Sequence, residues 1–240
     1  MNQVLKSNDP MGAAIYDYHK NGHADVLLVR STMFDDDTIP VETLFRDFKD
    51  MPELEQLALK KAKGRILDVG AGSGCHSLAL KDMGKDVVAI DISSLSVDVM
   101  KERGLDAKCV NFYDDEFSER FDTILILMNG TGIVGRLENM PSFFARIDSM
   151  LAPGGSVLID SSDLRYLYED EDGTFEIDLA DEYYGLVDYQ MVYKNIAGKP
   201  FDWLYVDFET LAYYAEEAGF KAEIIGEGEH YDYLARISRA

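Results

Sequence analysis

Three glycines at alternate positions, Gly70, Gly72 and Gly74, constrain the fold of this chain more than any other feature. They follow a short apolar run at residues 65–69 and precede a segment with helical spacing at residues 77–83. A strand that enters a glycine turn and continues as a helix is typical of α/β proteins that bind a ligand there, because glycine lets the backbone approach it closely. The turn therefore predicts an α/β fold with a ligand at the carboxyl end of this first strand.

Strands and helices continue to alternate after the glycine turn, which is the pattern of a doubly wound, mostly parallel sheet. The spacing of apolar residues predicts helices over residues 95–103, 140–151 and 208–218. Further strands are predicted over residues 86–90, 107–110, 121–127, 156–160, 220–225 and 231–237. Residues 121–127 are apolar on both faces, as expected for a strand buried in a parallel sheet.

The whole chain is expected to form one domain over residues 1–240. Its predicted parts are a helical N-terminal cap over 1–63, the ligand-binding core over 64–163, an insert over 164–207 and a C-terminal helix with two strands over 208–240. Length and composition support this, because 240 residues with 47% hydrophobic content suffice for one sizeable core with a modest appendage.

The insert carries aromatic residues that alternate with polar ones on both sides of a turn at 195–200. These residues are Tyr189 and Tyr193 before the turn, and Phe201, Trp203 and Tyr205 after it. Such alternation predicts a β-hairpin, whose aromatic side chains either pack on the domain or a second subunit or line a pocket for an apolar or cationic molecule. The acidic run at 169–173 is predicted to be a solvated loop tip.

Asp91 lies where the second predicted strand ends, about 20 residues after the glycine turn, and an acid there can accept hydrogen bonds from ribose hydroxyls. A nicotinamide-binding fingerprint would place its third glycine at position 75, which is Cys75. The glycine spacing therefore disfavours an NAD(P)-linked oxidoreductase, which stays an alternative to the reading that follows.

The sequence resembles the class I S-adenosylmethionine (SAM)-dependent methyltransferase family over about residues 65–240. Residues 67–74 (Leu-Asp-Val-Gly-Ala-Gly-Ser-Gly) are similar to its first motif and residues 88–93 (Val-Ala-Ile-Asp-Ile-Ser) to its second. Residues 151–158 resemble its turn into the fifth strand, and residues 217–220 its last helix end. The resemblance implies a three-layer Rossmann-like sandwich with a seven-stranded sheet in the order 3-2-1-4-5-7-6. SAM would be the cofactor, and S-adenosylhomocysteine (SAH) its product.

The resemblance also implies roles for residues at the carboxyl ends of the strands. Asp68 would orient the SAM ammonium, Asp91 would hold the ribose hydroxyls, and Ile92 would pack on the adenine. The other implied cofactor contacts are Gly70, Ala71, Gly72, Gly74, Asn111, Phe112 and Asn129. Asp114 is an alternative to Asn111 at the adenine amine. Residues 128–132 lack the Asn/Asp-Pro-Pro-aromatic signature of amino-directed nucleic-acid methyltransferases.

The methyl acceptor is not named by any motif. Tyr16, Tyr18 and Trp203 are predicted to contact it, because they lie in the segments expected to cover the carboxyl edge of the sheet. His19 and Asp160 are the candidates for proton transfer, although His19 can equally be a surface residue. No metal site is predicted, because Gly22 interrupts any helix between His19 and His23. His76 is expected to pack or cap, and the two cysteines, Cys75 and Cys109, to be buried free thiols.

Charge narrows the class of partner. The formal net charge is −22, with 45 acidic against 23 basic residues, so phosphate backbones and anionic membranes are disfavoured. A small-molecule acceptor is the first expectation and a protein side chain the second, with a homodimer possible. Only two cysteines and no secretory pattern favour the cytoplasm. A SAM-binding protein without catalysis is a further alternative.

Overall fold

The computed structural model describes residues 4–168 and 182–240. The N-terminal part contains helix α1 (Pro10–Asn21), strands β1 (Leu27–Arg30) and β2 (Asp37–Ile39), and helix α2 (Glu53–Lys61). The central part contains β3 (Arg65–Val69), α3 (Cys75–Asp82), β4 (Asp86–Asp91), α4 (Ser94–Glu102), β5 (Asp106–Cys109), β6 (Phe121–Ile126), α5 (Met140–Met150) and β7 (Leu151–Ser162). The remainder contains β8 (Leu186–Tyr193), β9 (Ile196–Ala197), β10 (Phe201–Leu204), α6 (Phe208–Glu217), β11 (Phe220–Glu227) and β12 (Asp232–Arg239).

A seven-stranded sheet forms the centre of the fold, in the order β5-β4-β3-β6-β7-β12-β11. The five strands from β5 to β7 are parallel, whereas β12 runs antiparallel to β7 and β11 antiparallel to β12. Numbered along the chain within this sheet, the order is 3-2-1-4-5-7-6, so the predicted topology is confirmed. We call this sheet the parallel sheet.

Helices cover both faces of the parallel sheet, because its central strands are apolar on both sides. One core contains Phe143, Phe144 and Ile147 of α5 against Ile124 and Ile126 of β6. The opposite core contains residues of α2 and α3 against Leu125 of β6. The predicted three-layer sandwich is therefore present, and α4 packs over the edge formed by β4 and β5.

A second, antiparallel sheet contains β1, β2, β8, β9 and β10, and we call it the antiparallel sheet. The predicted hairpin is present, since β10 pairs with β8 so that Phe201 lies opposite Tyr189 and Trp203 opposite Val187. It does not stand alone, because β8 also pairs with β1, with Leu27 opposite Tyr193. The acidic run predicted at 169–173 lies outside the described residues.

The prediction of a helical N-terminal cap over residues 1–63 was wrong in part. α1 and α2 lie in this segment, but β1 and β2 lie between them and belong to the antiparallel sheet. These strands are only four and three residues long. They pair with each other, and only β8, far along the chain, joins them through β1 to the rest of the antiparallel sheet, so no local pattern indicates that sheet. No helix in the part of the chain that the structure describes is both long and apolar enough to cross a membrane.

Candidate functional site

The glycine turn lies between β3 and α3, at the carboxyl edge of the parallel sheet. Gly70, Gly72 and Gly74 all have left-handed backbones, with φ of 68°, 56° and 82°. The N–H groups of Gly70 and Ala71 donate to the carbonyl of Ile90 at 2.9 and 3.1 Å, which fixes the turn against β4. A side chain in this backbone region is strained, so the conformation itself selects glycine.

The space next to two glycines of the turn is open. A Cβ built on Gly70 would meet no protein atom within 4 Å. One built on Gly72 would meet only a methyl group of Ile15, at 3.8 Å. The backbone of these two residues therefore faces an opening that a side chain would occupy. This agrees with the predicted close approach of a cofactor to Gly70 and Gly72.

Gly74 faces the protein interior instead. A Cβ there would lie 2.5 Å from Leu105 Cδ1 and 2.9 Å from Met100 Cγ. Glycine is therefore required at this position for the packing of α3 against α4 and the segment that follows it. The predicted cofactor contact of Gly74 remains a prediction, but the structure assigns this residue a packing role that spacing alone could not indicate.

Asp91 connects the glycine turn to the start of α4. Its two carboxylate oxygens accept hydrogen bonds from the N–H groups of Gly72, at 2.9 Å, and Ser93, at 2.7 Å. Burial raises the pKa of the Asp91 carboxyl to about 6, although the two backbone hydrogen bonds lower it in part. Asp91 remains partly exposed, so the carboxylate can still accept hydrogen bonds from a ligand.

Asp68 is buried at the end of β3, only 2% exposed. Its Oδ2 accepts a hydrogen bond from the Ser77 hydroxyl at 2.6 Å, in the first turn of α3. Burial raises the pKa of Asp68, and the neighbouring His76 and Ser77 act in the opposite direction. The side chain thus fastens α3 to β3 behind the turn, and any contact with a cofactor ammonium stays a prediction.

The residues predicted around an adenine separate into two groups. Ile92 is 41% exposed beyond the end of β4, so its side chain is available to a ligand. Asn111 lies beyond the end of β5, where its Oδ1 accepts a hydrogen bond from the Tyr113 N–H at 2.8 Å. The Phe112 ring, in contrast, is 2% exposed and packs against Phe143. Phe112 can therefore reach a ligand only through its backbone.

An unusual turn follows β6, next to the end of β7. Met128 and Asn129 both adopt left-handed backbones, with φ of 69° and 55°, which costs roughly 1–3 kcal/mol for each such residue. The carboxylate of Asp160 holds this turn by accepting the N–H groups of Met128, at 3.1 Å, and Gly130, at 2.9 Å. The Asn129 side chain accepts a hydrogen bond from the Ser162 hydroxyl at 2.8 Å.

Asp160 therefore has a structural role, which is to hold the turn after β6, and sequence reasoning missed it. It positions the backbone at the carboxyl end of β6, where strained residues often mark functional sites. Burial raises the pKa of Asp160 to about 6, against the lowering effect of its backbone hydrogen bonds. A carboxyl group with this pKa can exchange a proton near neutral pH, so the predicted proton transfer is chemically feasible.

The N-terminal segment contacts the glycine turn and the start of α4 directly. Asp9 caps α1 by accepting the Gly12 N–H at 2.8 Å, and its other oxygen accepts the Ser93 hydroxyl at 2.6 Å. Ser93 in turn caps α4 next to Asp91. Further along, the Ser73 hydroxyl of the glycine turn donates to the Leu44 carbonyl. No motif indicated these contacts, although an Asp or a Ser before a helix could have been recognised as a cap.

A buried charged cluster joins the N-terminal segment to α3. The Glu55 carboxylate accepts hydrogen bonds from Arg46 at 2.5 Å and pairs with His76 at 2.8 Å. Burial alone would raise the pKa of Glu55, but the hydrogen bonds from His76 and Arg46 hold it below its ordinary value. The expected packing role of His76 is thus accompanied by an ion pair, and sequence reasoning missed both partners.

His19 lies on the outer surface of α1, away from Asp160. Its Nε2 pairs with Glu102 at 2.9 Å, and Lys20 contacts the same carboxylate. Glu102 is the last residue of α4, roughly 13 Å along that helix from Ser93, at 1.5 Å per residue. The structure therefore places His19 at the end of α4 remote from the carboxyl edge, which supports the alternative that it is a surface residue.

The three predicted acceptor contacts lie on two different elements, with Tyr16 and Tyr18 on α1 and Trp203 on β10. The Tyr18 ring packs on Phe45, with centroids 4.6 Å apart, and Tyr16 lies under the Lys20 ammonium. Trp203 packs against Gly132 in the turn after β6, where an added Cβ would overlap its indole. Only Trp203 is therefore placed beside the strained turn at Met128. Among the described residues no group of three or more His, Cys, Asp or Glu could hold a metal ion.

Comparisons with known proteins agree with this geometry. A family model described as a methyltransferase domain matches residues 42–223. The chain is 31% identical over 102 residues to a cypemycin N-terminal methyltransferase from Streptomyces, a match covering 41% of this chain and 42% of the relative. It is 39% identical over 83 residues to an uncharacterized methyltransferase from Staphylococcus carnosus, covering 34% and 39%. The aligned regions thus span about two fifths of the length of these curated relatives.

Solved structures extend the similarity to the whole chain. A SAM-dependent methyltransferase from Bacteroides fragilis, crystallised with SAH, is 59% identical with a TM-score of 0.94, over 100% of this chain and 98% of that one. A more distant structure, DhpI in complex with SAM and HEP, has a TM-score of 0.61 at 16% identity, over 98% and 99% of the two chains. The second likeness concerns the fold alone.

Proposed function

Because the chain belongs to the SAM-dependent methyltransferase family, we propose that it transfers the methyl group of SAM to a small-molecule acceptor bound between its two sheets. One observation supports the part of this proposal that concerns SAM binding. The Asp91 carboxylate lies at the carboxyl end of β4, fixed by Gly72 and Ser93, beside a left-handed Gly70 that faces open space. This arrangement suits a ligand that offers ribose hydroxyls to a carboxylate and packs closely on a backbone.

Each part of the cofactor would be held by residues of this chain. Gly70 and Gly72 would lie under the methionine portion. Asp91 would accept hydrogen bonds from the two ribose hydroxyls, and Ile92 would pack on the adenine. The N-terminus of α3 adds a favourable environment for the methionine carboxylate. SAM supplies a methyl group on a positively charged sulfur, and the sulfur keeps the bonding electrons when the acceptor lone pair takes the methyl.

The protein would contribute mainly alignment and exclusion of water. Asp160 would fix the turn at Met128 and Asn129 close to the methyl group, and Trp203 would close this end of the acceptor space. A general base is needed only when the acceptor must lose a proton before it attacks. Asp160 is then the better of the two predicted candidates, since His19 is paired with Glu102 at the far end of α4.

A peptide acceptor is the second candidate. The cypemycin relative carries a name that assigns its methyl group to an N-terminus, and the similarity includes 31% identity over 102 residues. This candidate requires the acceptor space to be open to the end of a peptide chain.

The predictions of a homodimer, of a cytoplasmic location and of no binding to nucleic acid remain proposals. The exclusion of nucleic acid rests on the net charge of −22, and the cytoplasmic location on the presence of only two cysteines. The homodimer rests on the aromatic hairpin, whose side chains could pack on a second subunit.

Calorimetric titration of the purified protein with SAH, and separately with NADH, tests the central proposal. We expect SAH to bind and NADH not to bind. Absence of SAH binding would contradict the proposal, and NADH binding in its place would favour the oxidoreductase alternative. Binding of SAH by a protein that methylates no acceptor, tested against small molecules and peptides, would favour a SAM-binding protein without catalysis.

A further inference from the structure

The antiparallel sheet carries a row of aromatic side chains on one face. Because side chains alternate along a strand, Phe201, Trp203 and Tyr205 lie on the same side of β10 and its extension. Tyr189 lies opposite Phe201 on β8, so it shares this face. The ring centroid of Phe201 is 6.3 Å from that of Tyr189 and 6.0 Å from that of Trp203. The hydroxyl oxygens of Tyr189 and Tyr205 are 3.0 Å apart. We call these four residues the aromatic row.

The aromatic row lies between α1 and the turn that follows β6. At one end Trp203 contacts Gly132, in the turn that follows β6. At the other end the same face of β8 buries Tyr193 in a cluster with Ala14 and Ile15 of α1. All four members of the aromatic row nevertheless remain partly exposed. Parts of these rings are therefore accessible to a ligand, along a row that runs from the cluster on α1 to the turn after β6.

The charges around the aromatic row disfavour an anionic ligand. Burial raises the pKa of the Tyr189 phenol, and the neighbouring carboxylates of Asp37 and Asp188 act in the same direction. Two arginines in the segments that follow β6 and β7 are engaged by acids. Arg136 pairs with Asp202 and Glu182, and Arg165 with Asp163.

Aromatic faces carry negative charge density and attract cations, most strongly when water is partly excluded. The phenol hydroxyls of Tyr189 and Tyr205 add hydrogen-bond acceptors to the same space. We propose that the methyl acceptor is an amine and that it binds as an ammonium ion on the aromatic row. The inference rests on the proposed function, because it names the class of substrate for that site. A bound ammonium must first lose a proton to water, directly or through the Asp160 carboxylate. The free nitrogen lone pair then forms the N–C bond to the methyl group, the S–C bond of SAM breaks, and SAH leaves with the electron pair of that bond.

Trp203 allows the inference to be tested by direct binding, since it is the only tryptophan in the chain. The protein, saturated with SAH, is titrated with phenethylamine, 2-phenylethanol and phenylacetate while Trp203 fluorescence is recorded. These probes share a ring and a chain length and differ in the terminal group. We expect the amine to bind roughly tenfold more tightly than the alcohol, and the carboxylate to bind most weakly. Equal or weaker binding of the amine, or no amine binding at millimolar concentration, would overturn the inference.

Two substitutions at one position separate ring attraction from simple packing. Tyr189→Leu removes the aromatic face, and Tyr189→Phe keeps it. We expect Tyr189→Leu to lower phenethylamine affinity roughly fivefold while it leaves the affinity for 2-phenylethanol nearly unchanged. Tyr189→Phe should retain the preference for the amine. Tyr213→Leu serves as the control, because Tyr213 is 59% exposed on α6. An equal loss for amine and alcohol in Tyr189→Leu would assign the row a packing role only.

SAH binding distinguishes failure of this inference from failure of the proposed function. A protein that binds SAH but shows no preference for the amine keeps its assignment as a methyltransferase and loses the amine acceptor. A protein that does not bind SAH loses the proposed function itself, whatever the aromatic row binds. Saturation-transfer NMR of the same three probes, with and without SAH, provides a readout that does not depend on tryptophan fluorescence.

Discussion

The two sheets of this protein meet at one edge but are encoded in different ways. The cofactor side of the parallel sheet comes from one continuous stretch, in which β3, the glycine turn, α3 and β4 follow each other directly. The antiparallel sheet instead joins the two ends of the chain. A hydrogen bond from the Asp25 N–H to the Tyr193 hydroxyl, at 3.3 Å, connects residues that are 168 positions apart. Local order thus encodes the proposed cofactor site, and long-range pairing encodes the proposed acceptor site.

This difference matches the physical tasks of the two regions. A cofactor that does not change can be held by a short, fixed set of backbone and carboxylate contacts. An acceptor site must suit one particular molecule, and a sheet assembled from separate segments can vary without disturbing the glycine turn. The two regions are still connected, because Asp9 contacts Ser93 and Leu44 contacts Ser73. The packing of the N-terminal segment should therefore affect ligand binding at both proposed sites.

The largest effect is expected for Gly70→Val, which places a side chain in the open space of the cofactor site. We expect SAH affinity to fall by roughly a thousandfold, about 4 kcal/mol, as measured by calorimetry. Gly84→Val is the matched control. Gly84 also has a left-handed backbone, with φ of 76°, and its Cβ position is also free of protein atoms within 4 Å. Both variants should lose similar stability from backbone strain. Similar SAH affinities in the two would contradict the assigned position of the cofactor.

A smaller effect on the antiparallel sheet is expected from Leu27→Ala. Leu27 is 0% exposed in β1, so removal of its side chain should reduce the free energy of unfolding by about 3 kcal/mol. Leu28→Ala, on the opposite and partly exposed face of the same strand, should cost about 1 kcal/mol or less. Urea unfolding followed by Trp203 fluorescence reports on this sheet directly. Equal losses in both variants would show that the inner face of β1 is not the packed one.

Sequence alone was sufficient for the parallel sheet because its signals are local. The strand order, the helices α3 to α6 and the hairpin of β8 and β10 follow from apolar spacing, glycine turns and a family resemblance. The predicted ends of these helices lie within two residues of the observed ends, as expected for frayed termini. β1 and β2 could not be predicted, because three or four residues carry too little pattern without their partner strand.

The candidate site was only partly predictable for a related reason. Gly70, Gly72 and Asp91 lie in motifs, so their positions follow from the sequence. The packing role of Gly74 depends on Leu105 and Met100, and the structural role of Asp160 depends on the turn at Met128. The sequence allows His19 to act in proton transfer, but its side chain pairs with Glu102 at the far end of α4. Side-chain partners that are distant in sequence therefore decide which predicted residues can take part in the chemistry.

The pH dependence of SAH binding tests the role of Asp91 on the cofactor side. Its pKa of about 6 lies above the ordinary value, so the apo protein carries a proton on this carboxyl in mild acid. Ribose hydroxyls donate best to the ionised form, and SAH affinity should therefore rise roughly tenfold between pH 5 and pH 7 and level off above. The free energy of unfolding of the apo protein should change in the opposite direction. Because the pKa of Asp91 is raised in the folded state, its ionisation destabilises the apo fold as the pH rises through 6.

Asp91→Asn provides the control for that measurement, because it removes the titrating proton and keeps the size of the side chain. Its SAH affinity should be low at both pH values, and the rise between pH 5 and pH 7 should disappear. Persistence of the rise in Asp91→Asn would assign the pH dependence to another group. Asp160 is the first to consider, because burial raises its pKa to about 6 as well.

The smallest predicted effect concerns the long-range contact that anchors the antiparallel sheet to α1. Tyr193 is 1% exposed, and its hydroxyl donates to Asp17 Oδ2 at 2.9 Å while it accepts the Asp25 N–H. Tyr193→Phe keeps the buried ring and removes only the hydroxyl, so we expect a loss of about 1 kcal/mol in unfolding free energy. Tyr213→Phe, at an exposed position of α6, should change stability by a few tenths of a kcal/mol at most. If Tyr193→Phe is equally silent, the hydroxyl contributes no measurable stability, and the buried ring and the Lys194–Asp17 ion pair at 2.6 Å hold the antiparallel sheet on α1. The hydrogen bonds of Tyr193 would then not be what connects these distant parts of the chain.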